Sequence, residues 1–242
     1  MATSRGSKGQ TETAPAAVRV PHTRRLTIIA KDPGVRLEGG AMLFARIEIP
    51  AEDLAPGPTG YRVKVVDFDA TAGRLYKPLQ HYQAPDGTLV DPFRADDGED
   101  VGALAASHQA RLLADPNFHA QNTYAIVMRI LARFEFALGR RIEWGFNGHQ
   151  LNVAPHAFLD ANAFYSNEDS GLMFGYFKGK SGAMVFTALS HDIVAHETTH
   201  ALLDGLRDRF TEPSSPDQAA FHEAFADIVA LLSVFALPEV VA

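Results

Sequence analysis

The sequence predicts an α+β fold, on three observations. Residues 24–68 hold short apolar runs with partial two-residue alternation, the pattern of strands. From Asp100 the apolar period lengthens to that of helices. Between these helices, "RIEWGFN" and "ANAFYSNEDSGLMFGYF" return to strand and turn chemistry. Three parts are expected: a disordered tail over 1–20, a β-rich region over 21–115, and a core over 116–242 that carries the closing helices.

In chain order, "MATSRGSKGQTETAPAA" is small, polar and without periodicity, which reads as a tail that cannot bury enough surface to fold. It lacks the apolar stretch of a secretory signal, so the sequence as written reads as cytoplasmic. "RRLTIIA", "GAMLFARIEIP" and "GYRVKVVDFD" are strand candidates, separated by turn-rich segments. Asp67, Asp69 and Thr71 imitate a calcium loop, but Ala72 stands where such a loop needs glycine and no glutamate closes it. A solvated turn is expected there, followed by an acidic loop over 84–100. "VGALAASHQARLLA" suits a short helix. "DPNFHAQNTYAIVMRILARFEFALGRR" suits a long one, with Ile126, Ile130, Leu131 and Phe134 along one side and Gly139 as its stop.

Composition excludes several classes of function. The 242 residues are 46% hydrophobic, enough for a sizeable core, and the formal net charge is −7. No basic surplus supports a nucleic-acid partner. No run of about 18 apolar residues suggests a membrane partner. With no cysteine, any zinc must sit on His, Asp or Glu.

"SHDIVAHETTHALLDGL", residues 190–206, supplies such ligands. His196 and His200 are four apart, which on a helix stacks both imidazoles on one face. Glu197, one step round, can reach a water on a shared ion and act as general base. Ser190 is a plausible N-cap, and His191, about 140° round from His196, is expected at the surface. "SSPDQAAFHEAFADIVALLSVFALP" opens a further helix with Ser215 as N-cap, Pro216 at the first position and Gln218 completing a capping box. Pro238 should end it. Glu223 and Asp227 share one of its faces. A carboxylate third ligand at Glu223 leaves one zinc position open, and Asp227 can hold the far nitrogen of a ligand imidazole. His222 begins a second His-Glu pair without a second ligand, because residue 226 is alanine.

Together "DANAFYSNEDSGLMFGYF", "HDIVAHETTHALLDGL", "FHEAFADIVALL" and the long upstream helix resemble the thermolysin-like zinc metallopeptidases, the gluzincins, in order and spacing over about residues 116 to 235. The resemblance implies a thermolysin-like version of the α+β fold, Zn2+ as cofactor and a peptide or protein substrate. It implies His196, His200 and Glu223 as ligands, Glu197 as the base that activates water, and Asp227 behind His196. It implies Asn162 and Ala163 as holders of the substrate backbone, with Phe164 and Tyr165 beside the cleft. Asp192 stands where that family has an aspartate often tied to structural calcium, a candidate second ion whose acidic partners are not recognisable here.

There are departures from the family pattern. No tyrosine follows Tyr176 and no histidine follows His222, although the family stabilises its oxyanion with such residues downstream. His222 and Ala226 replace the family's usual asparagine and serine. The family is usually secreted and continues into a helical domain that walls the cleft, so a missing C-terminal domain is an expected partner. The alternative to a peptidase is a zinc-binding but catalytically incomplete domain used for binding.

Overall fold

A computed structural model describes residues 22–85, 88–94, 104–207 and 214–241. The tail expected over 1–20 lies outside the described residues, as do parts of the acidic loop over 84–100. The described chain is α+β. β1 (Thr23–Ile29) and β2 (Phe44–Pro50) form an antiparallel hairpin with Thr27 opposite Arg46. Its alternation is the one the sequence shows: Leu26, Ile28, Ala45, Ile47 and Ile49 are buried, while Arg25 and Glu48 pair at the surface, 2.8 Å apart.

A second sheet has five strands. β3 (Val63–Val65), β8 (Leu151–Leu159) and β10 (Gly171–Lys178) run parallel as neighbours. β11 (Met184–Phe186) and β9 (Ala163–Ser166) both pair antiparallel with β10. Two small ribbons, β4 (Phe68–Asp69) with β5 (Arg74–Leu75) and β6 (Tyr82–Gln83) with β7 (Leu89–Val90), complete the strands.

β8 is not legible in the sequence, because Pro155 and His156 interrupt what is a central strand. The structure places Pro155 at a register break, where Met173 faces Ala154 but Gly175 faces Phe158. Conversely, "RIEWGFN" forms no strand. Ile142, Trp144 and Phe146 alternate into the core as a strand would, but the segment has no ladder partner among the described residues.

The turn over 70–73 is solvated as expected, but Asp67 and Asp69, which lead into it, are buried. Asp67 Oδ1 accepts from the His156 amide at 3.0 Å, and its Oδ2 lies 2.7 Å from His156 Nδ1. His156 Nε2 meets His119 Nδ1 at 2.7 Å, and His119 Nε2 reaches the Leu113 carbonyl at 2.9 Å. The Tyr176 hydroxyl donates to Asp69 Oδ2 at 2.6 Å. These carboxylates are internal because each meets partners carried by distant elements, which local sequence cannot reveal.

α1 (Ala106–Ala114) and α2 (Pro116–Leu138) follow. Asp115 caps α2 by accepting from the Asn117 amide at 2.9 Å, Pro116 opens it, and Gly139 ends it at φ 65°, where a side chain would be strained. The expected apolar stripe is present, but residues 118–131 are buried all round. The β1–β2 hairpin covers one side of α2, while β3, β8 and the helix that carries His196 and His200 cover others. That enclosure brings polar side chains inside. Asn122 Oδ1 accepts from the Ile29 amide at 2.9 Å, and its amide donates to the Ala188 carbonyl at 3.0 Å. Gln121 donates to the Thr27 carbonyl and to Asp91 Oδ1, while Asp91 Oδ2 accepts from the Thr27 amide at 2.7 Å.

α3 (His191–Leu206), α4 (Pro216–Phe235) and the short α5 (Pro238–Val241) close the chain. Ser215 caps α4 as expected, accepting from the Gln218 amide at 3.2 Å, but Gln218 Oε1 returns to the Ser214 amide, one residue outside a capping box. α4 ends at Phe235, and Pro238 opens α5. α4 buries only His222, Ala226, Ala230 and Ser233, whereas Phe221, Ile228, Leu231, Leu232 and Phe235 are half or more exposed. By length and hydropathy alone α4 could cross a bilayer. It carries Asp217, Glu223 and Asp227, and carboxylates are costly there.

Replacing Asn122 by Ala orphans a buried amide on β1 and leaves the Ala188 carbonyl before α3 with the Thr123 hydroxyl as its remaining donor, at 3.2 Å. Unfolding free energy should fall by about 2–4 kcal/mol, read as a lower denaturant midpoint at unchanged slope.

Candidate metal centre

α3 and α4 pack against each other, and their facing polar residues converge. His196 and His200 lie on one face of α3, as their spacing requires, and their Nε2 atoms are 2.9 Å apart. Glu223 on α4 reaches both: Oε2 is 3.3 Å from His196 Nε2, and Oε1 is 3.6 Å from His200 Nε2. Donors about 2.0–2.1 Å from a four-coordinate ion sit roughly 3.3 Å from one another. The three separations bracket that figure, so the donor set fits one small cation. Among the described residues this is the one group of three such donors placed to hold an ion.

Both imidazoles are oriented from behind. His196 Nδ1 lies 2.9 Å from Asp227 Oδ1, the partner expected for it. His200 Nδ1 lies 2.7 Å from His222 Nδ1, with the rings stacked at 4.8 Å. The sequence reading missed His222, dismissing it for lack of a second ligand. The available signal was its place beside Glu223, which brings it to the α3 side of α4. Burial, then the neighbouring His196 and His222, hold His200 down at about 4, so its ring is neutral at pH 7. His191 is buried rather than superficial, with its ring against the Ile29 backbone at the end of β1. Burial and the nearby Arg129 push it down to about 3.

Glu197 points from α3 toward the edge strand β9. It is 9% exposed, and its Oε2 accepts from the Tyr165 amide at 3.1 Å. Burial raises its carboxyl to about 8. The Tyr165 amide opposes that shift and the Glu223 carboxylate adds to it. Asn162, Ala163, Phe164 and Tyr165 line a cleft of about 490 Å³ with His196, Glu197, His200 and Glu223. Asn162 and Ala163 also line a second depression of about 600 Å³ beyond His196, toward Asp227 and Leu231. The predicted residues therefore meet in one groove that runs past the donor triangle on both sides.

A further residue sets the position of β9. The Tyr165 hydroxyl donates to Asp204 Oδ2 at 2.8 Å, and the Asn167 amide donates to the same oxygen at 2.6 Å. Asp204 is buried and follows His196 and His200 at another four-residue step, a signal present in the sequence but unused. The end of α3 approaches the 141–147 segment so closely that only glycine fits: a Cβ on Gly205 would lie 1.9 Å from the Glu143 carbonyl oxygen. Asp192, placed by resemblance at a calcium position, instead shares the Ser190 hydroxyl with Asp32, at 2.5 and 2.7 Å. Ser190 thus begins α3 without capping it.

No protein-family model matches the chain, and no curated protein matches it.

Between its ordinary value of 4.5 and about 8, folded Glu197 holds a proton that the unfolded chain has released. Stability from this group is therefore full at low pH and lost as pH rises through that window. In metal-free protein the stability of Glu197→Gln relative to the parent should rise steadily from pH 4.5 to 8. A difference flat across that range in denaturant titrations would contradict the assignment.

Proposed function

We propose that the chain is a zinc-dependent peptide hydrolase with a thermolysin-like architecture. The observation that carries this reading is the His196, His200 and Glu223 triangle with a buried carboxyl, Glu197, directly beside it and an edge strand alongside. Three protein ligands leave a tetrahedral ion one open position, the layout of catalytic rather than structural zinc. When bound, the ion acts as a Lewis acid toward the scissile carbonyl and the attacking water.

The chain's own residues do the rest. To offer Nε2 to an ion, His196 must carry its proton on Nδ1, where Asp227 accepts it. His200 must likewise donate from Nδ1 to His222, which is then neutral with its own proton on Nε2. β9 has a strand on one side alone, β10, so an extended peptide can lie along its other side in the cleft and take over the Ala163 and Tyr165 amides that Asn162 and Glu197 hold. Asp204, through the Tyr165 hydroxyl, holds that strand at a set distance from Glu197. Glu197 takes a proton from the attacking water and returns it to the leaving amine. Its buried setting makes it a stronger base than an exposed carboxyl, and the charge of a cation held beside it would favour the ionised form that accepts the proton.

One observation favours the reading in which the site binds zinc and peptide without cutting. The Glu223 and Asp227 side chains are 66% and 74% exposed, so the α4 wall is wet, whereas hydrolytic sites gain from excluding water.

The deciding measurement is cleavage of a mixed peptide library by zinc-loaded protein beside its Glu197→Gln variant. The variant should keep zinc and lose about 10²- to 10⁴-fold in kcat/KM. Equal activity of the two would sink the mechanism, and zinc binding without cleavage by either would favour the binding domain. Asp227→Ala and His222→Ala should each weaken zinc affinity about 10- to 100-fold in chelator competition.

A further inference from the structure

The two long edges of the β1–β2 hairpin are treated differently. On β1 the outward backbone groups are taken: the Thr27 amide by Asp91, the Thr27 carbonyl by Gln121 and the Ile29 amide by Asn122. On β2 the register turns Arg46 and Glu48 outward, since they lie opposite Thr27 and Arg25. The Arg46 amide donates to Glu239 Oε1 at 3.3 Å. The Arg46 carbonyl and both backbone groups of Glu48 have no hydrogen-bond partner among the described residues. An edge left open in this way is a template for another strand.

That edge borders a groove of about 660 Å³ whose other walls are α2, through Arg129, Arg133 and Phe136, and the chain at Leu237–Glu239. It shares no lining residue with the clefts at the donor triangle. The groove is cationic on a chain whose formal net charge is −7. Arg46, Arg129 and Arg133 face one carboxylate, Glu239, because Glu48 is engaged by Arg25. Arg129 is committed to the end of α4, donating to the Ala236 carbonyl at 3.1 Å. Burial and the like charge of Arg133 hold Arg129 down at about 10. Arg46 Nε is buried with no acceptor among the described residues, an arrangement that costs stability until something supplies one.

We propose that this groove docks an extended acidic peptide, which adds as a strand to the open edge of β2 and sets carboxylates against Arg46 and Arg133. The backbone pairs with the Arg46 carbonyl and with both backbone groups of Glu48, acidic side chains meet the arginines, and the intervening side chains lie over Ile47, Ile49 and Phe136. Charge selects the partner, since a neutral strand would leave the Arg46 guanidinium without its acceptor. This surface is independent of the proposed hydrolytic reading, because no residue of either serves the other.

The test is fluorescence anisotropy of a labelled peptide that alternates Glu and Val, titrated with the full chain in the presence of a chelator that blocks hydrolysis. Binding should be saturable and weaken steeply with salt. It should fall at least tenfold in Arg133→Gln, whose exposed side chain is not needed for folding, and in Arg46→Gln. The same peptide with Pro in place of each Val keeps its charge but cannot form the ladder, and should bind at least tenfold more weakly. Undiminished affinity in both arginine variants, or for the Pro peptide, would overturn the proposal. Two other outcomes would also overturn it: displacement of the peptide by inorganic phosphate at equal concentration, which marks a small-anion site, and a dimer of the chain that Arg133→Gln dissociates, which marks a self-interface.

Discussion

The architecture depends on satisfying backbone polar groups around a helix that water does not reach. α2 is buried without interruption from Phe118 to Leu131, so everything packed on it must find its hydrogen bonds inside the protein. Asn122 and Gln121 do this for β1 and for the turn that precedes α3. Through these two side chains the hairpin on one side of α2 and the histidine helix on the other share one support. An apolar residue at 122 would keep the helix but leave the buried Ile29 amide unpaired and the Ala188 carbonyl with the Thr123 hydroxyl alone.

The candidate centre is an electrostatic problem set on that support. His196, His200 and His222 crowd together opposite Glu223 and Asp227, and burial holds His200 neutral. A neutral imidazole with its lone pair turned toward a carboxylate, as at His200, is in the state an ion requires. Glu197 sits on the dry side of the cluster, under the Tyr165 amide, while Glu223 and Asp227 sit on the wet side along α4. Glu197 and Glu223, both beside the same histidines in space, therefore differ in environment, and that difference divides them into base and ligand in the proposed mechanism.

Much of the centre was legible because it is local. His196, Glu197 and His200 lie within one turn and a quarter of helix, and Glu223 with Asp227 within another, so helical spacing alone faces them correctly. Asp204 extends the same spacing and could have been read. The place of His222 beside Glu223 brings it toward α3, but the partner it meets there is on another helix, 22 residues away. Strand β8 was hidden by Pro155, which is tolerated because the ladder breaks at that residue. The Ile142, Trp144 and Phe146 alternation misled in the opposite sense: it records burial, and burial without a ladder is not a strand.

The sequence by itself determined the α+β class, the caps and ends of α2, the hairpin's alternation and the grouping of ligand-type residues on two helix faces. Each of these is set within a few residues by sterics, capping or periodicity. Tertiary structure decided which groups are buried and whom they meet: Asp67 and Asp69 drawn inside by His156 and Tyr176, His191 against the end of β1, His222 behind His200, and the open edge of β2 beside its arginines. Those outcomes depend on elements far apart in the chain, and burial and polar pairing are properties of the assembled neighbourhood rather than of any one segment.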